Sequence, residues 1–115
     1  MCHVLVIEDE ALVAMMIEDS LLAEGATSVA IAASEHDAVE CAEQHRPDFI
    51  TSDVRLVEGT GPKAVATILA RHGEIPVLFI TATPAECAAC LEAAPVMQKP
   101  IRLHELKRQF HALVA

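Results

Sequence analysis

The sequence predicts an α/β fold, a doubly wound three-layer sandwich in which helices cover both faces of a parallel five-stranded sheet. Apolar runs of strand length alternate with longer stretches of helical period, the pattern of successive βαβ units. The runs Val4-Leu5-Val6-Ile7 and Val77-Leu78-Phe79-Ile80 are apolar without alternation, as strands buried on both faces must be. Glycine and proline then separate the segments, with Gly25, Pro47, Gly73 and Pro95 at the expected boundaries.

The first strand is expected at His3–Ile7, followed by a helix from about Glu10 to Glu24 with Val13, Met16, Ile17, Ser20 and Leu21 on its inward stripe. Gly25 ends that helix. Ser28–Ala32 reads as the second strand. Ser34 is placed to cap the next helix, with Asp37 at its third position, and Arg46-Pro47 stops the helix after His45. The third strand spans Asp48–Ser52. A loop over 54–60 leads past Gly61-Pro62 into a helix of Lys63–His72, with Val65, Ile68 and Leu69 inward and Gly73 at its end. The fourth strand is Val77–Ile80. Thr83-Pro84-Ala85-Glu86 has the cap, first-turn proline and third-position glutamate of a helix start, and Pro95 keeps that helix short. After a fifth strand, Val96–Gln98, a last helix runs from Arg102 to Val114 with Leu103, Leu106, Phe110 and Leu113 inward.

Five strands and five helices in strict alternation, joined by right-handed crossovers, reach both faces of the sheet only if the winding reverses once. The order 2-1-3-4-5 does this and sets strands 1 and 3 side by side at the switch point, where ligands bind beyond the strand ends. Four of the strands end in reactive polar residues: Glu8-Asp9 after the first, Asp53 after the third, Thr81 after the fourth and Lys99-Pro100 after the fifth. That order makes Glu8, Asp9 and Asp53 neighbours.

Composition narrows the function. A chain of 115 residues fits one domain, residues 1–115, without an output domain, and its 53% hydrophobic content is enough to build a core. A net charge of −9 argues against binding nucleic acid or an anionic membrane, which require a basic patch. No apolar stretch is long enough to span a bilayer and no charged-then-apolar leader opens the chain, so the expectation is a cytoplasmic protein. Of four cysteines, Cys87 and Cys90 have C-x-x-C spacing, but no second ligand pair lies nearby and they read as small apolar residues. The six histidines lack metal spacing and are expected at the surface.

Three clustered carboxylates repel one another unless a cation joins them. Mg²⁺ suits them, being small, octahedral and habitually bound by one or two carboxylates with phosphate oxygens, and Mn²⁺ fits similar ligands. One carboxylate must then act as nucleophile, and Asp53, alone at its strand end, is the natural candidate. Thr81 can donate a hydrogen bond to one phosphoryl oxygen while Lys99 neutralises another. Singly, these residues have ordinary explanations as helix-start charge, turn residue or surface polar group. Their placement on successive strands is what points to phosphoryl chemistry.

These features resemble the receiver (CheY-like) domain of two-component response regulators over the whole length. The resemblance rests on Val6-Ile7-Glu8-Asp9-Glu10, on Asp53 with Gly61 eight residues later, on Ile80-Thr81-Ala82 and on Lys99-Pro100. It implies a flavodoxin-like fold and a stand-alone phosphoacceptor module. Asp53 would take its phosphoryl group from a histidine kinase or histidine phosphotransfer protein, with Mg²⁺ required. Asp9 and Asp53 would bind the metal directly, Glu8 through water, and the backbone carbonyl of Arg55 would be a further ligand. Thr81 and Lys99 would hold the phosphoryl group, and the Lys99-Pro100 bond would be cis. An unidentified downstream protein would read the result, and a phosphorylation-dependent homodimer is a further arrangement the family implies.

The departures concern output. Receivers commonly carry Tyr or Phe where this chain has Val96, so the usual aromatic switch cannot operate there, and the stretch from Thr81 to Lys99 is short. Val57 replaces a common proline. Two alternatives compete with phosphorylation-controlled signalling. A receiver-like scaffold would bind partners without being phosphorylated. An aspartyl-phosphate phosphatase of the haloacid dehalogenase type would need a D-x-D motif, which Glu8-Asp9-Glu10 and Asp53-Val54-Arg55 do not supply.

Overall fold

The computed structural model describes residues 2–84 and 94–114. Five strands, β1 (His3–Ile7), β2 (Ser28–Ala32), β3 (Phe49–Ser52), β4 (Val77–Thr81) and β5 (Val96–Gln98), form one sheet in the order β2-β1-β3-β4-β5, with every pairing parallel. Four helices are described: α1 (Ala11–Ala23), α2 (Glu35–Gln44), α3 (Gly61–His72) and α4 (Leu103–Val114). Beyond Pro84 the helix expected to start at Thr83 lies outside the described residues, as do Cys87 and Cys90. No described helix is long and apolar enough to cross a membrane.

Strand residues divide between the two faces with the period of two that the pleat imposes. Leu5, Ile7, Ile50, Val77 and Phe79 join Ala38, Ala42, Ala64 and Ile68 in a core beneath α2 and α3. Val4, Val6, Phe49, Leu78 and Ile80 join Ile17, Leu21, Leu106 and Phe110 in a second core beneath α1 and α4. Phe49 and Phe110 meet edge-on there, with ring centroids 5.4 Å apart. The unbroken apolar runs of the sequence are thus two interleaved half-runs, one for each core.

The helix starts follow their caps. The Ser34 hydroxyl accepts from the Asp37 amide at 3.1 Å, as expected. α3 begins at Gly61, two residues before the expected Lys63, because Thr60 is its cap: the Thr60 hydroxyl accepts from the Lys63 amide, leaving Pro62 inside the first turn. β3 starts at Phe49 because the Asp48 carboxylate is turned to the main-chain amide of His3, and β4 runs one residue further than expected, pairing Thr81 with Gln98.

Three assignments are corrected, two of them inward and one at the surface. Met16 is 45% exposed and Ala14 is buried in its place, since α1 sits close enough to the sheet for a methyl group to fill the seam. Leu103 is 43% exposed, because Ile101, just before the helix, takes the position against the core. His3 is only 7% exposed; its ring stacks on His45 with centroids 3.6 Å apart, and its Nδ1 lies 2.7 Å from the Ser28 hydroxyl.

Candidate functional site

The register of the central strands assembles the site. Ile7 pairs with Ser52, and the Asp53 amide donates to the Ile7 carbonyl at 2.9 Å, so the residues just after both strands emerge together at the carboxyl edge. Glu8, Asp9 and Asp53 each bring one carboxylate oxygen to within 4.8 Å of the others. On the neighbouring pair, the Lys99 amide donates to the Thr81 carbonyl at 2.8 Å, which aligns the ends of β4 and β5. The Lys99-Pro100 bond is cis.

Lys99 is the electrostatic hub. Its Nζ donates to Asp53 Oδ2 at 3.0 Å, lies 2.9 Å from Glu8 Oε1 and reaches Glu10 at 3.6 Å. Glu8 Oε1 is shut off from solvent, and the Lys99 ammonium beside it is its counter-charge. Glu8 is 2% exposed, and burial pushes its carboxyl up to about 6 while Lys99 and the Glu10 amide restrain the rise. Burial also works against the Lys99 charge, but Glu8 and Asp53 outweigh it and hold the ammonium well above its ordinary value.

The other groups are fixed by main-chain bonds. Asp53 Oδ1 accepts from the Val54 amide at 2.7 Å, and Asp9 Oδ2 accepts from the Val57 amide at 2.9 Å. Thr81 is buried, with its hydroxyl accepting from the Thr83 amide at 3.1 Å and lying 3.5 Å from the Thr83 hydroxyl, and it keeps a proton that can donate. Arg55 stands opposite Thr60 across the loop after β3, whose ends are tied by the Gly61 amide on the Val54 carbonyl at 3.0 Å. Gly61 is required by that closure: a β-carbon there would lie 2.9 Å from the Asp53 carbonyl carbon and nearer still to its oxygen and to the Ser52 hydroxyl. Val96, where an aromatic residue is usual, pairs with Phe79 and packs on the α2–α3 side of the core.

All five side chains expected from the sequence therefore meet at one sheet edge, with the Arg55 backbone in the adjoining loop. Neither the reach of Glu10 to Lys99 nor the Val57 amide that orients Asp9 is legible in the residue pattern, since a backbone amide has no residue signature. The donor set suits a small, hard cation: every candidate ligand is an oxygen, and Glu8, Asp9 and Asp53 each bring one within 4.8 Å of the others.

Comparison with known proteins agrees with this architecture. The model of the response regulator receiver domain matches residues 4–111. The phyllosphere-induced regulator PhyR of Methylorubrum extorquens is 37% identical over 83 residues, covering 71% of this chain and 31% of PhyR. The chain spans about a third of the length of the first curated relatives it matches. The receiver domain of PhyR from Erythrobacter litoralis superposes with a TM-score of 0.86 at 28% identity, covering 98% of this chain and 89% of that one. The receiver domain of the sensor histidine kinase PA1611 from Pseudomonas aeruginosa, whose structure has a magnesium ion coordinated in the active-site cleft, gives a TM-score of 0.85 at 28% identity over 98% of this chain and 97% of that one. With the strand order, the acidic edge and the family match in agreement, the chain belongs to the response regulator receiver domains of two-component signalling.

Proposed function

We propose that Asp53 is the phosphoacceptor of this receiver and that residues 1–115 act as a single phosphorylation-controlled module. The observation that carries the reading is the Asp53 carboxylate, fixed by the Val54 amide and the Lys99 ammonium beside Glu8 and Asp9. In the proposed reaction an Asp53 oxygen attacks the phosphorus of a phosphohistidine on a histidine kinase or phosphotransfer protein. The O–P bond forms as the P–N bond breaks, and the electron pair stays on the departing imidazole. Mg²⁺ bound by Asp9, Asp53 and the Arg55 carbonyl, with Glu8 acting through water, would supply charge neutralisation for the transferring group. Lys99 meets one phosphoryl oxygen and the Thr81 hydroxyl donates to another.

The phosphoryl group adds roughly two negative charges next to Thr81 and the loop after β3, enough to bias a two-state surface read by a downstream protein. On this reading the domain is regulatory and catalyses nothing beyond the gain and loss of its own phosphate. Incubation with Mg²⁺ and a small phosphodonor such as phosphoramidate should attach one acid-labile phosphate, absent in Asp53→Ala. Unlabelled wild type would favour the scaffold alternative, and undiminished labelling of Asp53→Ala would refute the assignment.

A further inference from the structure

The first residue of α2 is tied to the loop that follows Asp53. Glu35 Oε1 accepts from the Thr60 amide at 3.0 Å, and the Glu35 amide donates to the Glu58 carbonyl at 3.1 Å. Between those two anchor points Gly59 has φ near +80°, and a β-carbon on it would fall 2.5 Å from the Glu35 β-carbon, so helix and loop are in van der Waals contact. The same loop carries Arg55, which faces Thr60, and the Val57 amide, which holds Asp9 Oδ2 at 2.9 Å. At Glu35, therefore, one side chain far from Asp53 in sequence grips the segment that touches two of the proposed metal ligands.

We infer that Glu35 is a positioning residue for the metal, its carboxylate latching the loop 55–60 so that the Arg55 carbonyl and the Asp9 carboxylate are held where a cation needs them. This rests on the metal site proposed above. Without the latch the Thr60 amide loses its acceptor and the loop can swing away from α2, carrying both groups with it. A ligand that must be gathered at the moment of binding costs ordering entropy that a preset ligand does not. Outer groups that orient metal ligands affect affinity for this reason. The effect requires an acceptor oxygen at Glu35 rather than a negative charge, which separates it from simple attraction of a cation.

The test uses the intact chain, with Mg²⁺ affinity measured by calorimetry, because there is no Trp or Tyr to report binding by intrinsic fluorescence. Thr60 amide exchange is followed in parallel in metal-free protein. Glu35→Ala should bind Mg²⁺ roughly tenfold more weakly than wild type, the lower end of the range for outer orienting groups, and its Thr60 amide should exchange faster. Glu35→Gln keeps the acceptor and should retain both properties. Wild-type affinity in Glu35→Ala would overturn the latch alone, as would Glu35→Gln weakening as far as Glu35→Ala. A wild-type chain that binds no Mg²⁺ would overturn the site and the latch together.

Discussion

Gly61→Ala places one methyl group where the chain turns from Asp53 into α3, and the cost can be worked from the contacts. The new carbon would overlap the Asp53 carbonyl oxygen and the Ser52 hydroxyl, and both belong to buried residues without room to swing aside. Relief requires the start of α3 or the Asp53 main chain to move by on the order of 1 Å, an overpacking cost of about 1–3 kcal/mol. That shift pulls on the Gly61 amide bond to Val54 (3.0 Å), whose loss costs about 1 kcal/mol more. A total of about 2–4 kcal/mol would be a large part of the stability of a domain this size. Urea unfolding followed by far-ultraviolet circular dichroism reads it directly. The midpoint should fall without a change in slope, since the unfolded surface is the same. Mg²⁺ affinity should fall too, because Asp53 moves with its backbone. A variant as stable as wild type would refute the reasoning, since it would mean that the junction gives way freely.

Two further outcomes follow from the charges. Burial, and the charge of His45 stacked on it, hold the His3 imidazole below its ordinary value, with Asp48 opposing. The unfolded chain therefore binds a proton more readily, and the stability contributed by neutral His3 is present above the ordinary value of 6.5 and lost as pH falls below it. Glu8, raised by burial, contributes with the opposite sign, so the measurement is a difference: the melting temperature of wild type should drop further on acidification than that of His3→Phe, and parallel profiles would refute the effect. Lys99→Met leaves Glu8 and Asp53 without their cation, at a cost of about 2 kcal/mol in metal-free protein, below the value for a fully buried pair because Glu8 can take up a proton. Mg²⁺ should raise the melting temperature of Lys99→Met more than that of wild type; equal shifts would show that the ammonium and the metal do not compete.

The fold was legible because burial on both sides of a parallel sheet leaves a plain mark. Val4 to Ile7 and Val77 to Ile80 must be apolar at every position, and the segments between them must carry helical stripes. The site was legible for a related reason: polar residues at the ends of such strands cannot enter either core, so Glu8, Asp9, Asp53, Thr81 and Lys99 stand out against what precedes them. What stayed hidden depends on distances that pattern does not encode. Leu103 and Met16 satisfy the helical stripe, yet in α1 it is Ala14 that is buried with Ile17 and Leu21 while Met16 stays out, and Ile101 reaches the core before Leu103 can. His3 reads as a surface residue until His45 is found lying on it. Glu35 looks like a helix-start acid, and only the folded loop shows its carboxylate engaged with Thr60.

The same separation explains how a fold this small tolerates its acidic edge. Three carboxylates at the end of a sheet repel one another, and the Lys99 ammonium contacts both Glu8 and Asp53. Its strand is aligned with β4 by main-chain bonds, so the ammonium is delivered by the sheet rather than by the loops. Under the proposed function this arrangement has a chemical consequence. An anionic phosphoryl donor approaches a site whose internal counter-ion is already engaged, and a divalent cation held by Asp9 and Asp53 would supply the positive charge that frees Lys99 to meet a phosphoryl oxygen. On that proposal, a need for metal would come from charge already fixed in the resting fold, and the loop 55–60, tied to Glu35, would set how readily that charge is met.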